Sequence, residues 1–126
     1  VCFFTGDGGL QMTIQEMGTI MQEHLNVKII LLDNTVLGMV RQWQDLFFHQ
    51  RYSFTDLANP KFTEIAKAYG FGTREVSKRE ELDEAIKEML DYDGPFLLIA
   101  DVEKSDMVYP MIPAGKPVTN ILMGDE

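Results

Sequence analysis

Two short stretches of the sequence combine residue types that could hold a metal ion and a phosphate group together: Thr5-Gly6-Asp7-Gly8-Gly9 and Asp33-Asn34-Thr35-Val36-Leu37-Gly38. In the first, glycines allow the main chain to approach a ligand closely and are expected to supply positive φ angles. Asp7 brings a carboxylate and has no Lys or Arg within several residues to neutralise it. In the second, Asn34 brings a side-chain amide oxygen. A carboxylate, an amide oxygen and a main-chain carbonyl, completed by phosphate oxygens and water, form the octahedral oxygen set that Mg2+ prefers. A helix starting soon after the glycines would aim free N–H groups and the positive end of its dipole at the same place. Alone, a Gly-Asp-Gly triplet is a common turn and an Asn at a strand end a common cap. The pair, with one helix and one strand between, is more specific.

The elements that must position these residues follow from the apolar pattern. Four runs read as buried strands: 1–4, 27–32, 73–76 and 96–102. Thr13-Ile14-Gln15-Glu16 has capping-box spacing and predicts a helix from Thr13 to near Asn26, with Met17, Ile20 and Met21 on one face. Asn59-Pro60 predicts a cap and a first helical position, followed by Phe62, Ile65, Ala66 and Tyr69 on one face up to Gly70. Ser77-Lys78-Arg79-Glu80 predicts a third cap, for a helix through Leu82, Ala85, Ile86, Met89 and Leu90. Alternating strands and helices imply an α/β fold, a mainly parallel sheet with helices on both faces. In such sheets ligands collect beyond the carboxyl ends of the strands. If the first two strands are neighbours, Asn34 arrives beside Asp7.

The chain has 126 residues, 45% of them hydrophobic, enough for one core and one domain. It opens directly on strand-like residues and reads as the C-terminal portion of a longer polypeptide, with 103–126 an extended tail containing Pro110, Pro113 and Pro117. A net charge of −9 argues against nucleic acid or an anionic membrane as partner. No apolar run approaches the roughly 18 to 20 residues of a membrane span. The single cysteine, Cys2, sits among apolar residues, is expected to be buried, and suits a reducing cytoplasm.

Gly6-Asp7-Gly8 followed by Asp33-Asn34 resembles the thiamine-diphosphate signature, Gly-Asp-Gly to Asn-Asn, and departs from it at Asp33, where many members have Asn. Leu37-Gly38-Met39-Val40-Arg41-Gln42-Trp43 is similar to a stretch of acetolactate synthase catalytic subunits, and Pro110-Met111-Ile112-Pro113-Ala114-Gly115 to their close. The resemblance implies Mg2+ ligation by Asp7, Asn34 and the main-chain carbonyl of Val36. It places thiamine diphosphate against Gly6, Asp7, Gly8, Gly9, Asn34, Val36, Leu37, Gly38 and Met39. Met39, Val40, Trp43 and Ala114 would line the substrate channel, where sulfonylurea and imidazolinone inhibitors also bind. The reaction implied is condensation of two pyruvates, or of pyruvate and 2-ketobutyrate, with loss of CO2, in branched-chain amino acid biosynthesis. In that family the activating glutamate lies in another domain, usually of a neighbouring subunit, so no catalytic residue is expected in this chain and no turnover from it alone. The remaining domains of the parent chain, a homo-oligomer and a regulatory small subunit are the expected partners. FAD, where present, would belong to the full-length protein and not to this stretch.

Other readings compete. Met39, Val40, Trp43, Leu46 and Phe47 also fit the core face of an amphipathic helix. Pyruvate oxidase, glyoxylate carboligase and benzoylformate decarboxylase relatives share the metal motif, and an acidic regulatory α/β module would use Asp7 and Asp33 differently. His24 and His49 read as structural or solvated, Met12, Met17 and Met21 as core filling, and Glu80, Glu81, Asp83 and Glu84 as a solvated helix face.

Overall fold

Leu, Ile and Phe fill both faces of the central strands, and the chain buries them by laying helices on each side of a parallel sheet. The computed structural model describes residues 1–124. The elements run β1 (Cys2–Gly6), α1 (Asp7–Thr13), α2 (Glu16–Gln22), β2 (Lys28–Asp33), α3 (Gly38–Phe47), α4 (Phe62–Tyr69), β3 (Gly72–Val76), a short 3-10 turn (Arg79–Glu81), α5 (Leu82–Asp91) and β4 (Phe96–Asp101). The sheet order is β1-β2-β4-β3, and every neighbouring pair is parallel. The expected α/β architecture is therefore present. β1 and β2 are neighbours in register, Gly6 beside Leu32, so the segments after both strands leave the same rim of the sheet.

Alternation along the strands divides the core in two. Ile29, Leu31, Leu97 and Ile99 face α1, α2 and α4, where Leu10, Met17, Phe62 and Ala66 meet them. Phe96, Leu98 and Val76 face α5 through Ala85 and Met89. Lys28 is buried on that second side. Its Nζ donates to the carbonyls of Tyr92 (2.7 Å) and Gly94 (2.6 Å), just past α5, where a cation is favoured by the helix dipole.

Two expectations about element ends and one about burial are corrected. The first helix does not open at Thr13: α1 starts at Asp7 and closes at Thr13, whose hydroxyl donates to Gly9 O at 3.3 Å. Turn bonds from Met17 to Ile14 and Gly18 to Gln15 then separate α1 from α2. Ser77 is not a cap, because the 3-10 turn Arg79–Glu81 intervenes and no side chain caps either segment. Cys2 is exposed, since β1 is an edge strand and α5 lies over β3 and β4.

The amphipathic α3 does not use its apolar residues as core: Met39 is 49% exposed, Val40 48% and Phe47 39%. Its buried residue is Gln42, 3% exposed. The Gln42 amide donates to Val108 O (3.0 Å) and accepts from Val108 N (2.7 Å), so it ties the segment after β4 to α3. That segment is irregular as expected, with Met111 and Leu122 forming a two-residue bridge; 125 and 126 lie outside the described residues.

The Gln42 contact generates a test. Gln42→Ala removes the partners of both the N–H and the C=O of Val108, a residue 61% exposed, so water replaces them and the cost is the net worth of the two hydrogen bonds, about 0.5 to 1.5 kcal/mol each. Hydrogen exchange at Val108 should speed up in the variant while the amides of β2 and β4 keep their protection; equal loss in the strands would mean that Gln42 supports the whole fold instead.

Candidate functional site

At the carboxyl ends of β1, β2 and β4 the structure forms a cavity of about 610 Å³. Gly6, Asp7, Gly8 and Gly9 form one wall; Leu32, Asn34, Val36, Leu37, Gly38, Met39 and Val40 form another; Val102, Glu103 and Asp106 close it. All the residues expected around a metal and diphosphate thus border one space. Trp43 and Ala114, expected in the substrate channel, do not line it: Trp43 packs against Phe47 with ring centroids 5.0 Å apart and planes tilted by 54°, and Ala114 is exposed.

The glycines do not supply the positive φ angles expected of them. None of Gly6, Gly8 and Gly9 has a positive φ. A Cβ at Gly9 would lie 2.9 Å from the Thr5 hydroxyl, and one at Gly8 3.0 Å from Leu37. Glycine at 8 and 9 keeps these approaches open where strand passes into helix without an intervening loop and the second loop packs against it. The left-handed residue is Thr35, with φ of 59°. For a β-branched residue this conformation costs roughly 1 to 3 kcal/mol and persists only where its surroundings hold it. Here Thr35 N donates to Asp33 Oδ1 (3.1 Å), and Leu57 N donates to Thr35 O (2.8 Å). Leu37 N donates to Thr55 O (2.8 Å), closing a short antiparallel bridge of Val36 with Asp56.

Asp7 is only 2% exposed. One of its oxygens accepts from Gly8 N (2.9 Å), the other from the Asn59 amide (2.7 Å). The same Asn59 nitrogen donates to Asp33 (2.8 Å), and its oxygen accepts from Gln11 (2.9 Å). Asn59 was expected to cap a helix. It does not, because α4 starts only at Phe62 with Lys61 before it, and the amide is committed to the two acids. Among the described residues no Lys or Arg pairs with Asp7 or Asp33; Arg41 and Lys104 both engage Asp56 instead. A buried carboxylate beside another, with no cation, is an unfavourable arrangement that a bound cation would offset.

That charge balance, the oxygen types of Asp7, Asn34 and Val36, and two helices beginning at the cavity wall make the site fit for a divalent cation and a phosphate group. The Asn34 side-chain oxygen accepts from Val36 N (3.2 Å), which fixes the amide while leaving a second lone pair. Gly38 leaves this amide uncrowded, since a Cβ would lie 3.2 Å from the Asn34 amide nitrogen.

The family model for the thiamine pyrophosphate enzyme, C-terminal TPP binding domain, matches residues 1–100. The chain belongs to the thiamine pyrophosphate enzyme family. It is 42% identical over 123 residues to the acetolactate synthase isozyme 2 large subunit of Escherichia coli strain K12, covering 97% of this chain and 22% of that protein. To the mitochondrial acetolactate synthase of Schizosaccharomyces pombe it is 41% identical, covering 94% of this chain and 18% of the relative. Among solved structures, a thiamine diphosphate-dependent 4-hydroxybenzoylformate decarboxylase from Rhodococcus jostii RHA1 superposes with a TM-score of 0.76 at 25% identity, over 82% of this chain and 20% of that one. The benzoylformate decarboxylase of Polynucleobacter necessarius gives 0.75 at 26%, over 82% and 20%. The chain therefore spans a small part of the relatives it matches. The reading as an acidic regulatory module is set aside by the family match, and no helix among the described residues is long and apolar enough to cross a membrane.

Sequence reasoning did not place Asn59, Gln11, Glu103 or Asp106 at the site. The last two follow the carboxyl end of β4, which runs beside β2, so the rule that ligands gather at strand ends applied to them as well. Nothing local marks Asn59 or Gln11, whose roles depend on contacts made across the fold.

Burial raises the Asp33 carboxyl above its ordinary value of 3.8, and the charge of Asp7 adds to the rise against the lowering contacts from Thr35 and Asn59. A raised carboxyl means that the folded state resists ionisation, so stability falls as pH climbs from 3.8 through the raised value. Asp33→Asn, which keeps an oxygen to accept both hydrogen bonds, should leave the metal-free melting temperature unchanged in acid and raise it at neutral pH. A pH-independent difference in thermal melts would exclude the charge as the cause.

Proposed function

We propose that this chain is the Mg2+ and diphosphate half of an acetolactate synthase active site, in a polypeptide that condenses two pyruvates, or pyruvate with 2-ketobutyrate, and releases CO2. The observation that carries the reading is the buried Asp7, without a cationic partner among the described residues, facing a cavity also bordered by Asn34 and Val36. The identities of 39 to 42% to acetolactate synthases, against 25 and 26% to the benzoylformate decarboxylases, favour this reaction over the other thiamine-dependent ones.

When bound, thiamine diphosphate supplies the thiazolium carbon on which a 2-keto acid loses CO2. The residues of this chain bind and orient. Asp7, Asn34 and the Val36 carbonyl would hold Mg2+, and Gly6, Gly8, Gly9, Leu37, Gly38 and Met39 would pack against the diphosphate and the thiazolium end. The N–H groups of Gly38, Met39 and Val40, which precede the first intrahelical bond of α3 from Arg41 to Leu37, are available to anionic oxygens. Met39 and Val40 on the cavity wall, with Trp43 and Ala114 beyond it, would form the substrate channel and limit access of water.

On this reading the activating glutamate comes from outside the chain, which by itself has no turnover. The chain is the C-terminal portion of the cofactor domain, with 103–126 as its tail. The rest of the parent polypeptide, a second copy of it and a regulatory small subunit are the partners, and FAD belongs outside this chain. The compartment is the cytoplasm, where the exposed Cys2 thiol stays reduced.

The test is acetolactate formation from pyruvate by the intact polypeptide with thiamine diphosphate and Mg2+, comparing wild type with Asp7→Ala. Acetolactate from the wild type and none from the variant is the expected result. Acetaldehyde or acetyl phosphate as the product would assign a different reaction of the same cofactor.

A further inference from the structure

We infer that Asn59 is a positioning residue for the metal site, and that the strap running from Thr55 to Asn59 sets the carboxylate and main-chain ligands together. The inference rests on the reading of Asp7 and Val36 as Mg2+ ligands and adds to it a residue that touches neither metal nor cofactor.

The chemistry of the amide dictates its orientation. With Asp7 and Asp33 on one side and the Gln11 amide on the other, Asn59 must turn its nitrogen to the acids, since its oxygen would only repel them. At 2.7 and 2.8 Å, both N–H groups are committed to carboxylates. With Gly8 N on its other oxygen, Asp7 has a donor on each oxygen, so the plane of the carboxylate is fixed before any cation arrives. The same strap grips the second ligand. Its Thr55 carbonyl and Leu57 N–H hold Leu37 and Thr35, the residues on either side of Val36, each at 2.8 Å. Carboxylate and carbonyl come from different strand ends, and a single segment of chain fixes the two.

Groups that orient metal ligands typically contribute 10- to 100-fold to metal affinity. A second substitution separates positioning from simple support of the fold. Asp33→Asn places an N–H donor where Asp33 now faces Asp7, so it should replace part of what Asn59 supplies.

The experiment measures Mn2+ affinity in place of Mg2+ by electron paramagnetic resonance, on the intact polypeptide with thiamine diphosphate, for wild type, Asn59→Ala, Asp33→Asn and the double variant, with circular dichroism on each. Asn59→Ala should weaken Mn2+ binding about 10-fold or more, and the double variant should recover part of the loss. If wild type binds Mn2+ and Asn59→Ala binds within about twofold of it, the inference is overturned. It is equally overturned if Asn59→Ala loses its secondary structure and Asp33→Asn restores neither fold nor affinity, which is the behaviour of a purely structural residue. Absence of Mn2+ binding by the wild type would instead overturn the metal reading on which the inference stands.

Discussion

Everything at the rim of this sheet depends on holding two carboxylates side by side. Asp7 and Asp33 are brought together because β1 and β2 are parallel neighbours whose ends lie in register. Among the described residues no Lys or Arg pairs with either, and their repulsion is moderated by N–H donors: Gly8 and Asn59 for Asp7, Thr35 and Asn59 for Asp33. Hydrogen bonds to an ionised group are stronger than neutral ones, yet they do not supply the positive charge that the buried Asp7 lacks beside the half-buried Asp33. A bound cation would offset that deficit.

That arrangement explains features that are odd in isolation. Thr35 adopts a left-handed conformation that a β-branched residue avoids, and it does so between a carboxylate that accepts from its N–H and a strap that donates to its carbonyl. Glycines at 8 and 9 give up side-chain packing so that α1 can begin directly from β1. Each is a local cost at the site, while the favourable burial lies elsewhere, in Leu31, Leu97, Leu98 and Ile99 along the central strands. The core supports strain that the rim could not support by itself.

Much of this organisation was legible in the sequence. Strand runs rich in Leu, Ile and Phe give a clear apolar pattern, and the four observed strands lie within two residues of those expected. Asp7 and Asn34 could be grouped because a parallel βαβ unit has one geometry, which carries both strand ends to the same edge, whereas Val36 entered only through the family resemblance. Helix starts were less legible. Thr13 and Ser77 have the composition of caps, but capping preference is weak beside the pull of tertiary contacts, and the glycine run let α1 begin earlier than the cap would have allowed. Asn59 was hidden for a deeper reason. Asn before Pro is as consistent with a helix cap as with an amide reaching across the sheet, and only the fold decides which partner it meets.

The division between core and site also accounts for α3. Its apolar residues are half exposed while the polar Gln42 is buried, the reverse of a helix that earns its place by packing. Such a helix is held by a few specific contacts: the Leu37 bond to Thr55 at its start and the Gln42 clamp on Val108 midway. Elements joined to a domain by few buried apolar contacts lie at the low end of local stability. Since Met39 and Val40 border the cavity, and Val102, Glu103 and Asp106 border it from the segment that Gln42 retains, the walls that a substrate would have to pass are those least tied to the core. The floor is different: there Asp7, Asn34 and Val36 are fixed by the sheet and the strap. A rigid floor under adjustable walls is what a site needs if it must hold a charged cofactor in one pose and still admit small acids to it.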